Sequence, residues 1–396
     1  MSSLFKNLGP GLLYAGAAIG VSHLVQSTRA GANYGLVLII AVVLIHILKY
    51  GFFRAGALIP LKSGKDLVAA YSNHSKWALA IFAIITFGTM HIVIAAICIV
   101  TAGLVANLFG LENTNWVNPI LLVLAGILVA SSNTKKLSDY LKWVVLLLGI
   151  ATLICFFLKL DKLADLLPTF SLSQFNFSHH QDLAFLIAFL GWMPAPMDIT
   201  LWQSIWITRS NDEKSERQQF QDFNIGYWGT AIMAVLFIAL GAATLFQTNV
   251  ELPTSAVGFT AAFLKMYAST LGSWSYPIIA FAAVATMVST LITCLDAYPT
   301  SAERSLQEFQ APQWLTNKKL WVVFNALGAW FVLFSFGDSL KSLVDFATTL
   351  SFLLAPFLAY YNLKILTQYD NRTWIKVVSY LGLLVLLLLA SYSIWT

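Results

Sequence analysis

The chain has 396 residues, of which 58% are hydrophobic and only 10% charged, and its mean hydropathy is +0.75. Soluble globular domains carry about a quarter charged residues, so this balance excludes one and points to a polytopic membrane protein. The net charge of +5 is what Lys and Arg in cytoplasmic loops supply, and it calls for no nucleic-acid partner.

Eleven apolar runs approach or exceed the ~20 residues a helix needs to cross the hydrocarbon core. They lie near 10–30, 36–58, 80–108, 117–132, 139–160, 183–207, 225–247, 274–296, 319–337, 343–366 and 374–395. The first begins at Gly9-Pro10 after a single Lys6 and lacks a small-residue cleavage site, which predicts a retained helix rather than a signal peptide. Cys98, Cys155 and Cys294 lie singly in these runs without metal-like spacing and read as small core hydrophobes. The intervening loops, of which 161–182, 208–224, 248–273 and 297–318 are the longest, are too short for a separate core.

Positive charge orients the runs. With the N-terminus cytoplasmic, 17 of the 23 Lys and Arg fall in inner segments, among them Lys6, Lys135, Lys136 and Lys214. Only Lys159, Lys162, Lys265 and Lys341 fall outside, and Arg29 and Lys49 lie within spans. An odd number of spans then puts the C-terminus outside an inner (cytoplasmic) membrane.

Two runs are interrupted. The first contains "AAIGVSHLVQ" (17–26), where Gly16, Gly20, Ser22 and His23 weaken a helix near its middle. The sixth contains "FLIAFLGWMPAPMDITLWQS" (185–204), where Pro194 and Pro196 each remove a backbone donor, predicting an unwound segment through Met193–Met197. Five helices separate the two starts. Paired interruptions at matching positions are the mark of an inverted repeat with a binding site between the breaks. Glycine-mediated packing and proline kinks account for such residues without any ligand, and that reading competes for each break taken alone. The fold class is thus an all-α polytopic membrane protein of 11 transmembrane helices, in a five-plus-five inverted repeat with broken helices 1 and 6 and one extra C-terminal helix. The expected units are 1–170, 171–366 and 367–396.

At these residues the chain resembles the Nramp family, divalent-metal transporters of the leucine-transporter fold. That family's first helix runs from Gly-Pro through an Asp-Pro-Gly-Asn break to Ala-Gly-Ala. Here Gly9-Pro10 leads to "GVSH" (20–23) and then to Ala30-Gly31-Ala32. Its Met-Pro-His-Asn break in the sixth helix is similar to "MPAP" (193–196), and "MVSTLITCLDAYPTSAERSL" (287–306) and "LAPF" (354–357) resemble its eighth and tenth helices. The departures fall on the chemistry. Gly20 stands where the family has its metal-binding Asp, His23 replaces its Asn, and Ala195 replaces the His tied to proton handling, while Met193 is kept. Residues 80–108 contain no Asp or Glu, where the family has an acidic pair, and 319–337 contain no Arg.

The resemblance implies a secondary transporter of a small solute, foremost a metal ion, across the membrane lipid. Residues Gly20, Ser22, His23, Leu190, Trp192, Met193 and Ala195 are the candidate substrate site. Hard divalent ions favour oxygen ligands, usually including carboxylates, and Gly20 supplies only a carbonyl. His23 and Met193 suit a softer metal. A non-metal solute is the second reading, since Trp192 stands beside the break and half-helix N-termini offer free donors to an anionic group. A non-transporting receptor is the third.

Ionisable residues within spans are further candidates. Asp198 is the nearest carboxylate to the site, as a displaced cation ligand, a proton acceptor or a partner for Lys49. His91 and His46 are candidate proton carriers, because a free histidine titrates near pH ~6.5, or else hydrogen-bonded packing residues. Asp296 is expected to cap its helix or pair with Arg304, and Arg29 to snorkel. No nucleotide-binding loop or catalytic constellation is present, so neither a cofactor nor an enzyme is expected.

Overall fold

The structure, a computed structural model, describes residues 10–131, 134–168, 171–210, 215–248 and 252–395. Lys6, Gly9 and Lys214, used above for boundaries and orientation, lie outside the described residues. Among the described residues the only β-type pairing is an isolated bridge, Ser255 to Ser339.

The first span is split into α1 (Pro10–Ala18) and α2 (Thr28–Tyr34), joined by a π-helical turn at Ser22–Ser27. Next come α3 (Leu38–Ser63), a short α4 (Leu67–His74), α5 (Lys76–Phe109), α6 (Val117–Ala130), α7 (Thr134–Leu158) and α8 (Leu160–Leu166). The sixth span is split into α9 (His180–Gly191) and α10 (Ile199–Arg209). The rest is α11 (Glu216–Leu245), α12 (Ala256–Leu271), α13 (Tyr276–Glu308), α14 (Lys318–Phe336), α15 (Leu340–Tyr369) and α16 (Thr373–Trp395). Among the described residues seven helices are long and apolar enough to cross a membrane, and α6, α9 and part of α7 are shorter apolar helices.

Apolar character alone does not place these helices; burial does. The most apolar window of α5 is 72% buried, whereas those of α14 and α16 are 22% buried. So α5 runs through the bundle, packed by α13, α14, α12 and α15, and α14 and α16 are peripheral. Local signals set the ends. Ser75 accepts from the Trp77 N–H at the start of α5, and Gly110 closes it at φ +68°, a conformation side chains with a Cβ resist.

Glycines let the first span approach α11 closely. A Cβ on Gly31 would lie 2.1 Å from the Ile238 carbonyl oxygen, and one on Gly241 2.7 Å from that of Thr28. The Ala30-Gly31-Ala32 segment is therefore a packing face.

One expected loop is a helix. Residues 256–271, read as part of an outer loop, form α12, capped by Ser255 on the Gly258 N–H. Its buried stripe of Phe259, Phe263 and Tyr267 has helical spacing, and Asn107 of α5 binds the Val257 carbonyl and the Thr260 hydroxyl. At 16 residues it falls short of a span, which is why a search for spanning runs passes over it.

Candidate functional site

The two breaks differ in depth. In the first span, α1 ends at Ala18 and regular hydrogen bonding lapses only around Ile19–Val21 before the π-helical turn takes over. The carbonyls freed there are met by one residue of α13: the Thr290 hydroxyl is within hydrogen-bond range of the Gly16 carbonyl (3.0 Å) and the Ile19 carbonyl (3.4 Å), and of its own helix at Thr286. The same threonine explains Gly20, because a Cβ there would lie 2.8 Å from Thr290 Cγ2.

His23 follows the break and is fully buried. Its Nε2 lies 3.0 Å from the Thr230 carbonyl of α11, an acceptor only, so this nitrogen carries the hydrogen. Its Nδ1 lies 2.7 Å from the Ser22 hydroxyl, which is also 2.9 Å from the Ala18 carbonyl. Both imidazole nitrogens are thus engaged, Nε2 by α11 and Nδ1 by the neighbouring Ser22, leaving neither as a free metal ligand in this conformation.

The sixth span is open over seven residues, Trp192 to Asp198, between α9 and α10. The segment is buried except for the half-buried Pro196, with Met193 and Ala195 at zero exposure, so its polar groups need protein partners. The Trp192 indole N–H donates to the Ser351 hydroxyl of α15 at 2.8 Å. The carbonyls of Leu190 and Met193 both accept from the Lys49 ammonium of α3, at 2.7 and 2.8 Å. Lys49 therefore pairs with helix-end carbonyls, not with Asp198.

Asp198 stands at the start of α10, 4% exposed, and among the described residues no cation pairs with it and its Oδ1 lacks a hydrogen-bond partner. It borders a cavity of about 10 Å³, lined also by Thr89, Met197, Pro196 and Ser351. That is close to the least space that holds one water. Tyr298 of α13 neighbours the carboxylate and packs edge-on against Trp202, their ring centroids 4.7 Å apart. The cavity thus lies among the third, sixth and tenth spans, with the eighth beside it.

Near the starts of α2 and α15, Arg29 grips Asp345 with both terminal nitrogens, at 2.5 and 3.0 Å, and donates to Gln26 at 2.8 Å. Gln26 reaches Asp345 and Thr348 in turn. Arg29 is 6% exposed and stacks over Phe185 of α9, so it is a buried tie across three helices rather than a snorkelling side chain. Asp296 pairs with Lys318 at 2.5 Å, while Arg304 binds Asp66 and Glu308.

The other histidines lie apart from the cavity. His46 donates through Nδ1 to the Val42 carbonyl of its own helix at 2.7 Å. The half-buried His91 sits on the α14 face of α5, 3.3 Å from the Asn325 carbonyl and edge-on to Phe324, in space left by Gly328.

Residues 11–396 match the family described as natural resistance-associated macrophage protein-like. The chain belongs to this, the Nramp family. It is 30% identical to an uncharacterized protein of Pasteurella multocida (strain Pm70), over 99% of this chain and 92% of that one. It is 22% identical to the divalent metal cation transporter MntH of Levilactobacillus brevis, over 99% of this chain and 89% of that one. A mutant of the manganese transporter of Eremococcus coleocola has a similar structure, with a TM-score of 0.73 at 19% identity over 99% of this chain and 86% of that one. The fold is the leucine-transporter fold, and the Nramp family and this fold are those of transporters rather than enzymes.

Within that frame, sequence reasoning singled out Asp198, Trp192, Met193 and the broken segment as far as Met197, but it missed Thr89, Ser351 and Tyr298 around the cavity. It also missed Thr290 at the first break, although the Ser/Thr-rich stretch 287–306 was its signal.

Proposed function

We propose that the chain is a secondary transporter that moves a small cation, foremost a divalent metal ion, across an inner membrane by alternating access. The observation that carries this reading is Asp198: a buried carboxylate with an unpartnered oxygen, facing a cavity of one-atom size beside a broken helix. A carboxylate, two hydroxyls (Thr89, Ser351) and the Met197 thioether form a mixed hard and soft donor set, suited to a borderline ion. Burying even one unit charge costs several kcal/mol after relaxation, and Asp198 supplies the compensating charge that Gly20 does not. The small cavity favours an ion over an organic solute in this closed conformation. In this reading the N-terminus is cytoplasmic and the C-terminus outside, residues 1–170 and 171–366 are the two inverted repeats, and 367–396 is the eleventh span. The Arg29–Asp345 tie then closes the outer end. Similarity to a divalent metal cation transporter and to a manganese transporter supports the choice of cargo.

The test is uptake of Mn²⁺ and Cd²⁺ into sealed proteoliposomes, wild type beside Asp198→Asn. Uptake by the wild type that the variant loses is the expected result. Binding without accumulation would indicate a receptor. Silence with both ions would reject the metal and direct the search to organic solutes.

A further inference from the structure

The ammonium of Lys49 has no exposure to solvent, and among the described residues no carboxylate pairs with it. An ammonium buried without a counter-ion is strongly unfavourable unless other negative charge compensates it. That charge comes from the main chain. α9 ends at Gly191, so the Leu190 carbonyl lies at its C-terminus, where the helix dipole is negative. The Met193 carbonyl belongs to the unwound segment, where no helix continues to satisfy it. One carbonyl oxygen at a helix C-terminus and one in the unwound segment beyond it, inside a membrane protein, form a cation site; unwound carbonyls and half-helix ends bind coupling ions in broken-helix transporters.

We propose that Lys49 is a tethered cation, filling with its own ammonium the cation site that the break in the sixth helix creates. The site is therefore occupied by the protein itself, so no free monovalent cation enters it and the break stays folded without one. Cargo is confined to the other flank of the same break, where Asp198 stands. This inference does not rest on the identity of the cargo and holds for a metal ion or an organic solute alike.

Neighbouring side chains support the assignment. His46 lies one turn before Lys49 on α3 and spends its Nδ1 hydrogen on Val42, and the Tyr227 hydroxyl donates to the His46 carbonyl at 2.6 Å. Neither group competes for the ammonium. On the far side Leu190 packs in an apolar groove with Leu44, Leu48 and Leu186, which offers no polar alternative.

The experiment is thermal unfolding of the detergent-purified full chain at constant ionic strength and pH, with Na⁺, K⁺ or choline as the only monovalent cation. The wild-type midpoint is expected to be the same in all three. Lys49→Ala should lower the midpoint, and methylammonium or ethylammonium should restore most of the loss, because the truncated side chain leaves room for a free ammonium. Lys49→Met, which keeps the volume and removes the charge, should be lowered without rescue. A wild-type midpoint that depends on Na⁺, a Lys49→Met midpoint equal to wild type, or a Lys49→Ala midpoint indifferent to alkylammonium would each overturn the proposal. If neither neutral variant folds, the cation dependence of the wild type decides alone.

Discussion

The two broken helices solve the same problem with different means. In the first, the chain drops regular bonding for about one turn, and a single neutral hydroxyl, Thr290, covers the exposed carbonyls. In the sixth, two prolines open seven residues, and a full positive charge from Lys49 is brought in to cover them. The lesson is that the depth of a break sets the strength of the donor that closes it. A hydroxyl suffices where the helix resumes at once, whereas a helix that truly ends leaves a dipole that calls for a cation. Asp198, a carboxylate with no cation paired to it among the described residues, stands where the deeper break ends.

The largest effect should come from the deeper break. Asp198→Asn keeps the shape and removes the charge, and we expect metal uptake to fall at least ~100-fold, as the loss of ~3 kcal/mol of charge compensation implies. Next comes Lys49→Met, which leaves the buried Met193 carbonyl without its donor and the Leu190 carbonyl with only the Trp192 and Met193 backbone N–H groups, at a cost of ~1–3 kcal/mol. Its unfolding midpoint in denaturant should fall accordingly. At the shallower break, Gly20→Ala forces a methyl group to within 2.8 Å of Thr290, and an overpacking cost of ~1–3 kcal/mol should appear in the same assay. Thr290→Val should cost ~1 kcal/mol, and if it costs as much as Lys49→Met the contrast drawn here fails.

The smallest effect concerns the end of α15. Burial pushes the Asp370 carboxyl up, but the Arg372 N–H and the Arg54 guanidinium, at 2.9 Å, outweigh it and hold the group below the usual carboxylate range. A carboxyl depressed in the folded state adds stability that is present above its unfolded value near pH ~3.9 and is lost as pH falls through the folded value. Asp370→Asn should therefore flatten the acid limb of a stability profile below pH ~5 and leave uptake at neutral pH unchanged.

How much of this was legible follows from what a sequence can encode. The prolines at 194 and 196 announced the sixth break because proline acts locally, through its missing N–H and its ring. The first break was legible in place but not in depth: glycines permit an opening without fixing its length, and Gly20 makes room for Thr290. The partner of Lys49 was hidden because its acceptors are carbonyls, which every residue carries and no letter marks. Acid–base pairs were guessed by nearness in the chain, so Asp296 was offered to Arg304, eight residues on, when its partner is Lys318 across a loop. Asp198 was found because a carboxylate inside a span is conspicuous against so apolar a background. The small helix α12 was lost because its length resembles neither a span nor a tight connection.

Lys49 also bears on how the chain is made. Its partners lie 141 and 144 residues later in the sequence. When α3 leaves the ribosome the sixth span does not yet exist, and a lysine near the centre of a nascent membrane helix costs ~2.5–3.5 kcal/mol on insertion scales. The bonds that compensate this charge can therefore form only once α9 and the segment after it have been synthesised, so Lys49 ties a helix of the first half of the chain to a break in the second.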